Sequence, residues 1–447
     1  MKILLISTNT LTDPYPTYPI GLDYVYHAIP SHHSVIVMDM NTSERDIPQK
    51  FIDEKPDLVG LSIRNIDTTD ASHKKSFIDM MVQLVATIRN TIETTIVLGG
   101  SGFTILPAEW MERLQADYGV IGEGERFPLF LDCLEKNQDP GNIAGVIKRG
   151  TQPVYPPPWN NPLSRGIFPN HYYTSFYLNR GGMLNLQTKR GCPFQCIYCT
   201  YPHIEGRTFR FMEPDDVAET ALMLEEAGAR YLYITDSTFN GSYDHSLSVA
   251  ESFIRKGVSI PWGGFFTPTA PPLNYYKTMV KAGLRHIEFG TESLADAMLA
   301  SYRKPFDLAM VHKAHEKAAE AGLYIAHYLM IGGPGECEET IMETMTNSRR
   351  FKKTVYFLFP GVRIYPHTPL FDLAVEEGQI TKNTNLLSPT FYWSHLITRE
   401  KALAIIETET QGERNWCVGV EAEKTAKILT KLYSRGHVGP LWEHLIV

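Results

Sequence analysis

Three cysteines crowd into one short loop, and this loop constrains the fold more than any other stretch of the chain. Cys192, Cys196 and Cys199 place half of the six cysteines of a 447-residue chain within eight positions. Cysteines clustered in this way bind metal more often than they form disulfides. Three thiolates are one fewer than the four that close a tetrahedral zinc or iron–sulfur site, so one metal position would stay open for chemistry. Gly191 and Pro193 favour a tight, non-helical wrap in which the thiolates converge.

The spacing Cys-x3-Cys-x2-Cys, with the aromatic Tyr198 directly before the last cysteine, resembles the radical S-adenosylmethionine (SAM) superfamily. The flanks agree with the resemblance, because a strand is predicted before the loop and a helix after it. The resemblance implies a [4Fe–4S] cluster on Cys192, Cys196 and Cys199. Its fourth iron would bind SAM, and reductive cleavage would give methionine and a 5′-deoxyadenosyl radical. The alternative is a zinc knuckle with its fourth ligand elsewhere.

The composition is that of a folded globular protein of two or three domains, with 43% hydrophobic and 21% charged residues. The formal charge of −8 gives no reason to expect a nucleic-acid partner. No apolar run approaches the length of a membrane span, so we expect no transmembrane segment. The chain begins directly with a predicted strand and shows no signal peptide, so we expect a cytoplasmic protein.

Residues 1–150 alternate short, β-branched apolar runs with helical stretches. This alternation predicts an α/β domain, doubly wound and Rossmann-like, with helices on both faces of a parallel sheet. The predicted strands are Ile3–Ile6, Val35–Met38, Leu58–Leu61, Ile96–Leu98 and Tyr118–Ile121. Ligands of such sheets bind at the carboxyl ends of the strands. The candidate cofactor-binding residues on those loops are Thr8, Asn9, Tyr15, Tyr18, Gly21, Ser62, Arg64, Asn65, Gly99, Gly100, Ser101, Gly102, Phe103, Gly122 and Glu123.

Together these loops resemble the cobalamin-binding domain that precedes many radical SAM barrels. Leu61-Ser62 and Leu98-Gly99-Gly100 match the loops that hold the dimethylbenzimidazole tail in that family. The Asp-x-His-x-x-Gly element that supplies an axial histidine in other cobalamin proteins is absent, and His73 lies in the wrong loop. The resemblance therefore implies base-off cobalamin without a histidine ligand, with Arg64 or Asn65 under the cobalt. The alternative is a plain doubly wound domain whose glycines make ordinary turns.

A second α/β region follows a proline- and aromatic-rich linker, which we assign to residues 151–183. From 184 to 370 six strand–helix units predict a partial (β/α)6 barrel, and residues 371–447 predict a helical C-terminal region. The predicted barrel strands are Asn185–Thr188, Tyr231–Thr235, Trp262–Phe265, His286–Phe289, Tyr324–Met330 and Tyr356–Phe359.

The loops after these strands match the radical SAM pattern in order, and active residues of such barrels lie on these loops. An acidic residue alone is as readily a helix cap or a surface charge, but the ordered set favours SAM binding. The resemblance implies SAM contacts from Tyr198, Asp236, Ser237, Glu292, Ser293, Arg303, Gly332 and Gly333, with the basic pair Arg303-Lys304 offering charge to the SAM carboxylate.

The resemblance covers about residues 1–370 and implies a cobalamin-dependent radical SAM enzyme that methylates an unactivated carbon. One SAM would methylate cobalamin, and a second would generate the radical that activates the substrate. Arg64 and Tyr365 are the candidate catalytic residues, with Tyr365 orienting the substrate at the barrel mouth. The expected partners are a small-molecule substrate, with lipids as candidates, and an electron donor such as flavodoxin or ferredoxin. The alternatives are a radical carbon–carbon bond-forming or cyclising enzyme, and a non-catalytic cobalamin or SAM sensor.

Overall fold

The computed structural model describes residues 1–12, 15–42, 47–72, 74–160, 165–166, 171–419 and 423–446. Within these ranges the chain forms two large sheets, one of six and one of seven strands. His73, the histidine that the sequence discounts as a cobalt ligand, lies outside the described residues. None of the helices in the described part is long and apolar enough to cross a membrane.

The first sheet confirms the doubly wound domain. Its strands are β1 (Lys2–Ser7), β2 (Ser34–Asp39), β3 (Leu58–Ser62), β4 (Thr95–Gly99), β5 (Tyr118–Val120) and β6 (Val146–Lys148). Their spatial order is β2-β1-β3-β4-β5-β6, and all neighbours are parallel except the last pair. The strand order reverses at β1 and β3, so the loops after these two strands flank a crevice where such folds bind ligands.

Helices cover both faces of this sheet, and their apolar residues complete its core. They are α1 (Ile20–Ala28), α2 (Ile47–Glu54), α3 (Ile78–Thr91), α4 (Ser101–Ile105), α5 (Pro107–Leu114) and α6 (Phe127–Glu135). The linker carries one further helix, α7 (His171–Leu178).

The remaining strands lie in the second half of the chain. They are β7 (Met183–Leu186), β8 (Lys189–Arg190), β9 (Arg210–Phe211), β10 (Tyr231–Ile234), β11 (Trp262–Phe266), β12 (Leu284–Glu292), β13 (Tyr324–Ile331), β14 (Thr354–Pro360), β15 (Val362–Arg363), β16 (Phe391–Tyr392) and β17 (Trp416–Val418). Their helices are α8 (Tyr201–Ile204), α9 (Pro214–Glu226), α10 (Tyr243–Lys256), α11 (Tyr275–Lys281), α12 (Asp296–Ser301), α13 (Leu308–Glu320), α14 (Glu338–Ser348), α15 (Pro369–Glu376), α16 (Arg399–Thr410) and α17 (Glu423–Ser434).

The large second sheet contains all six predicted barrel strands and one that the sequence did not predict. Its order is β17-β14-β13-β12-β11-β10-β7, and every neighbouring pair is parallel. The seventh strand comes from the C-terminal region, where β17 pairs with Tyr356–Leu358 of β14. The predicted C-terminal helices are present as α16 and α17, and the region adds this strand, which the sequence did not predict. A three-residue strand is too short to show a period in the sequence.

The partial barrel is open between its two edge strands, β7 and β17. Side chains from outside the sheet pack into its inward face at this opening. Tyr15 of the first domain and Val438 pack on Tyr231 and Tyr233, while Trp442 packs on inward residues of β13 and β14. The interior is thus closed by the first domain and by the C-terminal segment rather than by an eighth strand.

Candidate functional site

The cysteine loop is held in place from three directions. Gly191 has a φ of +83°, and a Cβ there would lie 2.1 Å from the Thr208 carbonyl oxygen, so only glycine fits. The Cys192 backbone N–H donates to the Gly206 carbonyl at 3.0 Å, which folds the loop back on itself. Further along, Ile197 donates its N–H to the Tyr302 carbonyl at 3.2 Å. The predicted tight wrap is therefore present and anchored to the barrel.

The three thiols lie close enough to influence one another. Burial first, and then the proximity of Cys196 and Cys192, raise the pKa of the Cys199 thiol to about 12. Among the described residues only His32, His33 and Glu135 bring three ligand atoms within 4.8 Å of one another, so the sulfurs are more widely spaced. Three thiols on one loop leave the fourth position of a metal centre to another ligand.

A buried cation lies beside the cysteine loop, and it is the second residue of the predicted basic pair Arg303-Lys304. Lys304 Nζ lies 2.6 Å from Glu292 Oε2 and 3.3 Å from the Tyr198 hydroxyl, and Lys304 also lies near Cys196. Arg303, which we predicted to face SAM, is exposed. The helix α12 ends at Ser301 and Arg303 adopts a φ of +55°, so the turn directs Arg303 outward and Lys304 inward. Glu292 has a φ of +63° at a bulge in β12, a strained conformation typical of functional sites.

Asp236 and Ser237 have different surroundings. Asp236 is buried and accepts hydrogen bonds from Thr188 N at 2.8 Å, Thr188 Oγ1 at 2.5 Å and Lys189 Nζ at 2.8 Å. This carboxylate is fully used in bracing the end of β7, which contradicts the predicted contact with SAM. Ser237 stays at the cysteine loop, because its Oγ donates to the Gly191 carbonyl at 3.0 Å.

The serine and glycines of the later barrel loops are held by packing. Ser293 is buried and its Oγ lies 3.0 Å from Thr344 Oγ1 of α14, so its side chain does not face the cysteine loop. A Cβ at Gly332 would lie 2.7 Å from the Trp393 ring, and one at Gly333 would lie 2.2 Å from the Tyr302 hydroxyl. Glycine at these two positions leaves room for the Trp393 and Tyr302 rings. Side-chain packing is therefore one reason for both glycines, besides the predicted contact with SAM.

The first domain brings its predicted loops together at the reversal point of the sheet. Thr8 Oγ1 donates to the Ser62 carbonyl at 2.9 Å, and Asn65 Nδ2 donates to Asn9 Oδ1 at 3.3 Å. Asn9 Nδ2 is buried and has no hydrogen-bond partner within the described residues. Buried polar atoms normally have a partner, so this amide is available to a bound group.

Arg64 projects into a gap between the domains. Its side chain is exposed, yet desolvation by the surrounding protein lowers the pKa of its guanidinium. The phenols of Tyr201, Tyr177 and Tyr15 are near enough to affect that pKa. Helix α4, which follows the glycines behind Arg64, packs on α8 directly after the cysteine loop. The gap is the space where Arg64 of the first domain faces α8 of the barrel.

Glycines after β4 let their backbone pack closely behind Arg64. A Cβ at Gly100, whose φ is +99°, would lie 2.5 Å from the Ile63 carbonyl, and one at Gly102 would lie 2.8 Å from the Arg64 carbonyl. Ser101 Oγ approaches the Arg64 carbonyl at 3.4 Å, and Gly99 accepts the Ile63 N–H at 2.7 Å. Phe103 is fully buried in the domain core, which contradicts its predicted contact with cobalamin.

The predicted residues Tyr18 and Gly21 do not line the gap. Tyr18 is buried and donates to Asp23 Oδ1 at 2.8 Å, and Gly21 is exposed on α1. Glu123 is buried, pairs with Arg190 at 2.8 Å and with Arg210 at 2.9 Å, and lines a cavity beside the gap.

Buried ion pairs join the two domains around the gap. Arg190 also pairs with Glu125 at 2.7 Å, and Asp67 pairs with Arg363 at 2.7 Å. The Arg363 guanidinium lies 4.8 Å from the Tyr365 ring centroid, so half-buried Tyr365 lies at the domain boundary and not deep in the barrel. Buried pairs of this kind hold their partners in fixed register.

A cavity of about 180 Å³ lies beside the gap, between the first domain, the linker and α8. It is smaller than a typical site for a drug-sized ligand, so it can hold only part of a large cofactor. Predicted residue Gly122 lines it. Its lining residues are Thr104, Ile121, Gly122, Glu123, Tyr155, Pro156, Pro157, Pro158, Pro202, His203, Ile204, Gly206 and Arg207.

Sequence reasoning missed two residues that the structure places at the site. Lys189 is a buried cation beside the cysteine loop, and Glu288 is a buried carboxylate inside the barrel. Of the predicted basic pair Arg303-Lys304, the structure turns Lys304 toward the cysteine loop. Glu288 lies in the middle of β12, where period-two alternation places it inward with His286.

Comparisons with known proteins agree with this geometry. The sequence model of the Radical SAM superfamily matches residues 186–347, and that of the B12 binding domain matches residues 6–129. A tryptophan 2-C-methyltransferase from Streptomyces laurentii is 22% identical over 449 residues, covering 84% of this chain and 74% of the relative.

Two further relatives bear on the chemistry. A hopanoid C-3 methylase from Methylococcus capsulatus is 21% identical and covers 69% of this chain and 60% of its own length. An anaerobic magnesium-protoporphyrin IX monomethyl ester cyclase from Rubrivivax gelatinosus is 25% identical, covering 77% of this chain and 62% of the relative.

The solved structure of the radical SAM methyltransferase TsrM from Kitasatospora setae, with tryptophan and a SAM analogue bound, superposes with a TM-score of 0.87. It is 20% identical and covers 99% of this chain and 97% of its own.

Proposed function

The chain is a radical SAM enzyme that carries a cobalamin-binding domain, and from that premise we propose that it methylates an unactivated carbon of a small molecule. The observation that supports this proposal most strongly is the packing of α4 of the first domain on α8, directly after the cysteine loop. Exposed Arg64 and the unpartnered amide of Asn9 lie on neighbouring first-domain loops, which the hydrogen bond from Asn65 to Asn9 joins. A methyl group can pass between cofactors only if both open onto one space.

The residues of the cysteine loop fit an iron–sulfur cluster. Cys192, Cys196 and Cys199 would ligate it, and Lys304 with Glu292 would lie beside its open position. A cation–carboxylate pair offers one group to each charged end of an amino acid, which SAM presents as carboxylate and ammonium. When bound, the cluster supplies electrons for cleaving SAM, and cobalamin supplies a carrier for the methyl group.

The first domain fits cobalamin without a histidine ligand. Asn9 Nδ2 is buried with no partner within the described residues, and Arg64 projects into the gap beside Asn65. A permanently charged guanidinium cannot ligate a metal through nitrogen as imidazole does. We therefore propose that cobalamin binds base-off, with Arg64 facing the cobalt. The small cavity lined by Gly122 would receive a detached part of the cofactor.

Labelled SAM tests the methylation proposal. The full-length protein is reconstituted anaerobically with iron, sulfide and cobalamin, and is given SAM with a deuterated methyl group and a low-potential reductant. The proposal predicts S-adenosylhomocysteine among the products and deuterated methyl on the corrinoid. If 5′-deoxyadenosine forms while all the label stays in SAM and methionine, the proposal is wrong.

The second candidate is radical ring formation without methyl transfer. The similarity to a magnesium-protoporphyrin ester cyclase over 77% of this chain is the observation that favours it. The labelled-SAM experiment separates the two, because a cyclase produces 5′-deoxyadenosine without moving the methyl group. A sensor would form no 5′-deoxyadenosine and would transfer no labelled methyl group.

The remaining proposals concern substrate, reductant and compartment. Half-buried aromatic side chains inside the barrel support an apolar substrate. Lipids remain candidates because the chain is similar to a hopanoid C-3 methylase. A flavodoxin or ferredoxin would supply the electrons for the cluster. All six cysteines lack disulfides, which supports a reducing, cytoplasmic compartment.

A further inference from the structure

A buried carboxylate in the middle of the barrel is surrounded by hydrogen-bond donors. Glu288 is fully buried, and its Oε2 accepts from the Tyr233 hydroxyl at 2.7 Å and the Tyr328 hydroxyl at 2.9 Å. Its Oε1 accepts from Trp442 Nε1 at 3.0 Å. The Tyr15 hydroxyl lies 3.5 Å from the same oxygen, at the outer limit of a hydrogen bond. All four partners are donors, and they come from four separate segments of the chain.

The direction of these hydrogen bonds fixes what the tyrosines can offer. An indole N–H only donates, and an ionised carboxylate only accepts. Burial raises the pKa of Glu288, and the hydrogen bonds donated by Tyr233, Trp442 and Tyr328 oppose that rise by stabilising the carboxylate. Burial raises the pKa of Tyr233 and Tyr328 well above the usual value, so both remain phenols with one proton each. Each gives that proton to Glu288 and keeps its oxygen lone pairs free. The hydroxyls therefore present acceptors, and no donors, to anything that binds next to them.

Open space begins directly beyond this group of residues. On β12, β13 and β14 the inward residues Glu288, Ala326 and Phe357 are buried, whereas the next inward residues toward the carboxyl ends are half-buried. Those half-buried residues are Gly290, Tyr328, Met330 and Phe359, with Phe265 beside them on β11. The space lies toward the strand ends that carry the cysteine and SAM loops, where a barrel enzyme holds its substrate.

The walls of this space are aromatic. The Tyr328 ring centroid lies 5.6 Å from that of Phe265 and 6.2 Å from that of Phe359. The Tyr15 and Tyr233 rings lie 6.0 Å apart, so the first domain contributes one wall. Aromatic side chains favour other aromatic rings as partners, in offset-stacked or edge-to-face contact, so walls of this kind suit a flat, unsaturated molecule.

We infer that the substrate is a flat, unsaturated small molecule that presents an N–H or O–H donor to the acceptor floor formed by Tyr15, Tyr233 and Tyr328. This inference rests on the proposed function, whose substrate class it narrows. Glu288 is a positioning residue, because it accepts the tyrosine protons and thereby sets the polarity of the floor. A saturated hydrocarbon would leave buried acceptors without partners, which weakens binding.

Indole and benzofuran test the inference, because they share a shape and differ in one N–H against one ether oxygen. Calorimetry measures the Kd of each for the full-length protein loaded with cluster, cobalamin and SAM. We expect indole to bind about tenfold more tightly than benzofuran, the usual effect of one hydrogen bond of this kind. Equal binding of the two probes, or no binding of indole at millimolar concentration, would overturn the inference.

Two variants and one control assign the effect to the floor. Tyr328→Phe removes an acceptor, and Glu288→Gln offers an N–H that forces a tyrosine to turn its proton, so both should bring the ratio of the two Kd values toward one. Tyr324→Phe changes an exposed tyrosine on the same strand and should keep the ratio. An unchanged ratio in Tyr328→Phe, which deletes one oxygen only, also counts against the inference. Deuterium transfer to the corrinoid is scored separately, so failure of the proposed function is distinguished from failure of this inference.

Discussion

At the scale of single residues, two neighbouring cations have opposite surroundings. Lys304 is buried against Glu292 and Tyr198, whereas Arg303 is exposed. We expect Lys304→Met to reduce formation of 5′-deoxyadenosine by at least about tenfold, because truncating one partner leaves the Glu292 charge unpaired near the cluster. Arg303→Met is the matched control and should retain the wild-type rate. Equal losses in the two variants would contradict the assignment.

Gly191 gives a second prediction at this scale. Gly191→Ala places a Cβ 2.1 Å from a backbone oxygen, so we expect the cysteine loop to shift and the iron content after reconstitution to fall by at least half. Gly257→Ala is the control, since Gly257 has a similar φ of +80° but open space around it. Both variants carry about 1 kcal/mol of backbone strain. Normal iron content in Gly191→Ala would show that the loop tolerates the change.

Residue types in the loops were predictable, but the direction of each side chain was not. The cysteine loop needed no tertiary information, because its spacing alone brings three thiols together. Asp236 looked equally suited to SAM, yet Lys189 and Thr188 occupy its oxygens. Lys189 is far from Asp236 in sequence, and only the pairing of β7 with β10 brings them together. Contacts of that kind leave no local pattern to read.

At the scale of elements, helix α13 rests on a pair of buried histidines. His315 Nδ1 lies 3.1 Å from His327 Nε2 on β13, and burial lowers the pKa of His315 to about 4. An unfolded histidine titrates near pH 6.5, so below that pH the unfolded chain binds a proton that the folded chain does not. The free energy of unfolding should therefore fall by about 2 kcal/mol between pH 7 and pH 5 through this group.

Denaturant unfolding at the two pH values measures this dependence. His315→Gln should reduce the fall by about 2 kcal/mol without abolishing it, because burial also lowers the pKa of His327 and His203. His395→Gln, which changes an exposed histidine, should leave the dependence as in the wild type. An identical pH dependence in His315→Gln and wild type would show that the buried pair does not set the acid sensitivity.

Elements with a clear period were predictable, and elements without one were not. The strands β1 to β5 and the barrel strands β10 to β14 end within a few residues of their predicted bounds, because apolar runs bounded by turns mark each of them. The short strands β6 and β17 were missed, since three residues show no period. Their pairing depends on an exposed sheet edge, which the sequence does not reveal.

At the scale of the whole molecule, the two domains act as one because buried ion pairs join them. Asp67 and Arg363 are both buried and lie 2.7 Å apart. Asp67→Asn keeps the shape but leaves Arg363 without its charge partner, which costs about 3 kcal/mol at a buried site. We expect the variant to lose stability by about that amount and to retain less cobalamin.

Glu409→Gln provides the matched control for this prediction. Its partner Arg349 is exposed, so losing that pair should cost less than about 1 kcal/mol. Denaturant unfolding and the cobalt content of the purified proteins measure both effects. Comparable stability in Asp67→Asn and Glu409→Gln would mean that the ion pair between Asp67 and Arg363 does not hold the domains together.

The domain organisation was predictable in outline, because two separate α/β alternations flank a proline-rich linker. Closure of the barrel was not, since Tyr15 and Trp442 lie at opposite ends of the chain and meet only at Glu288. No spacing in the sequence relates them. The substrate space is therefore a property of the assembled molecule.

The electron paramagnetic resonance spectrum of the protein loaded with cob(II)alamin tests the central claim most directly. The claim is that the gap between the domains holds the corrinoid with Arg64 facing the cobalt and without a nitrogen ligand. We expect cobalt hyperfine lines without the further splitting that a coordinated nitrogen adds, and a changed cobalt hyperfine pattern in Arg64→Leu. A nitrogen splitting in the wild type, or a protein that retains no cobalamin, would contradict the account.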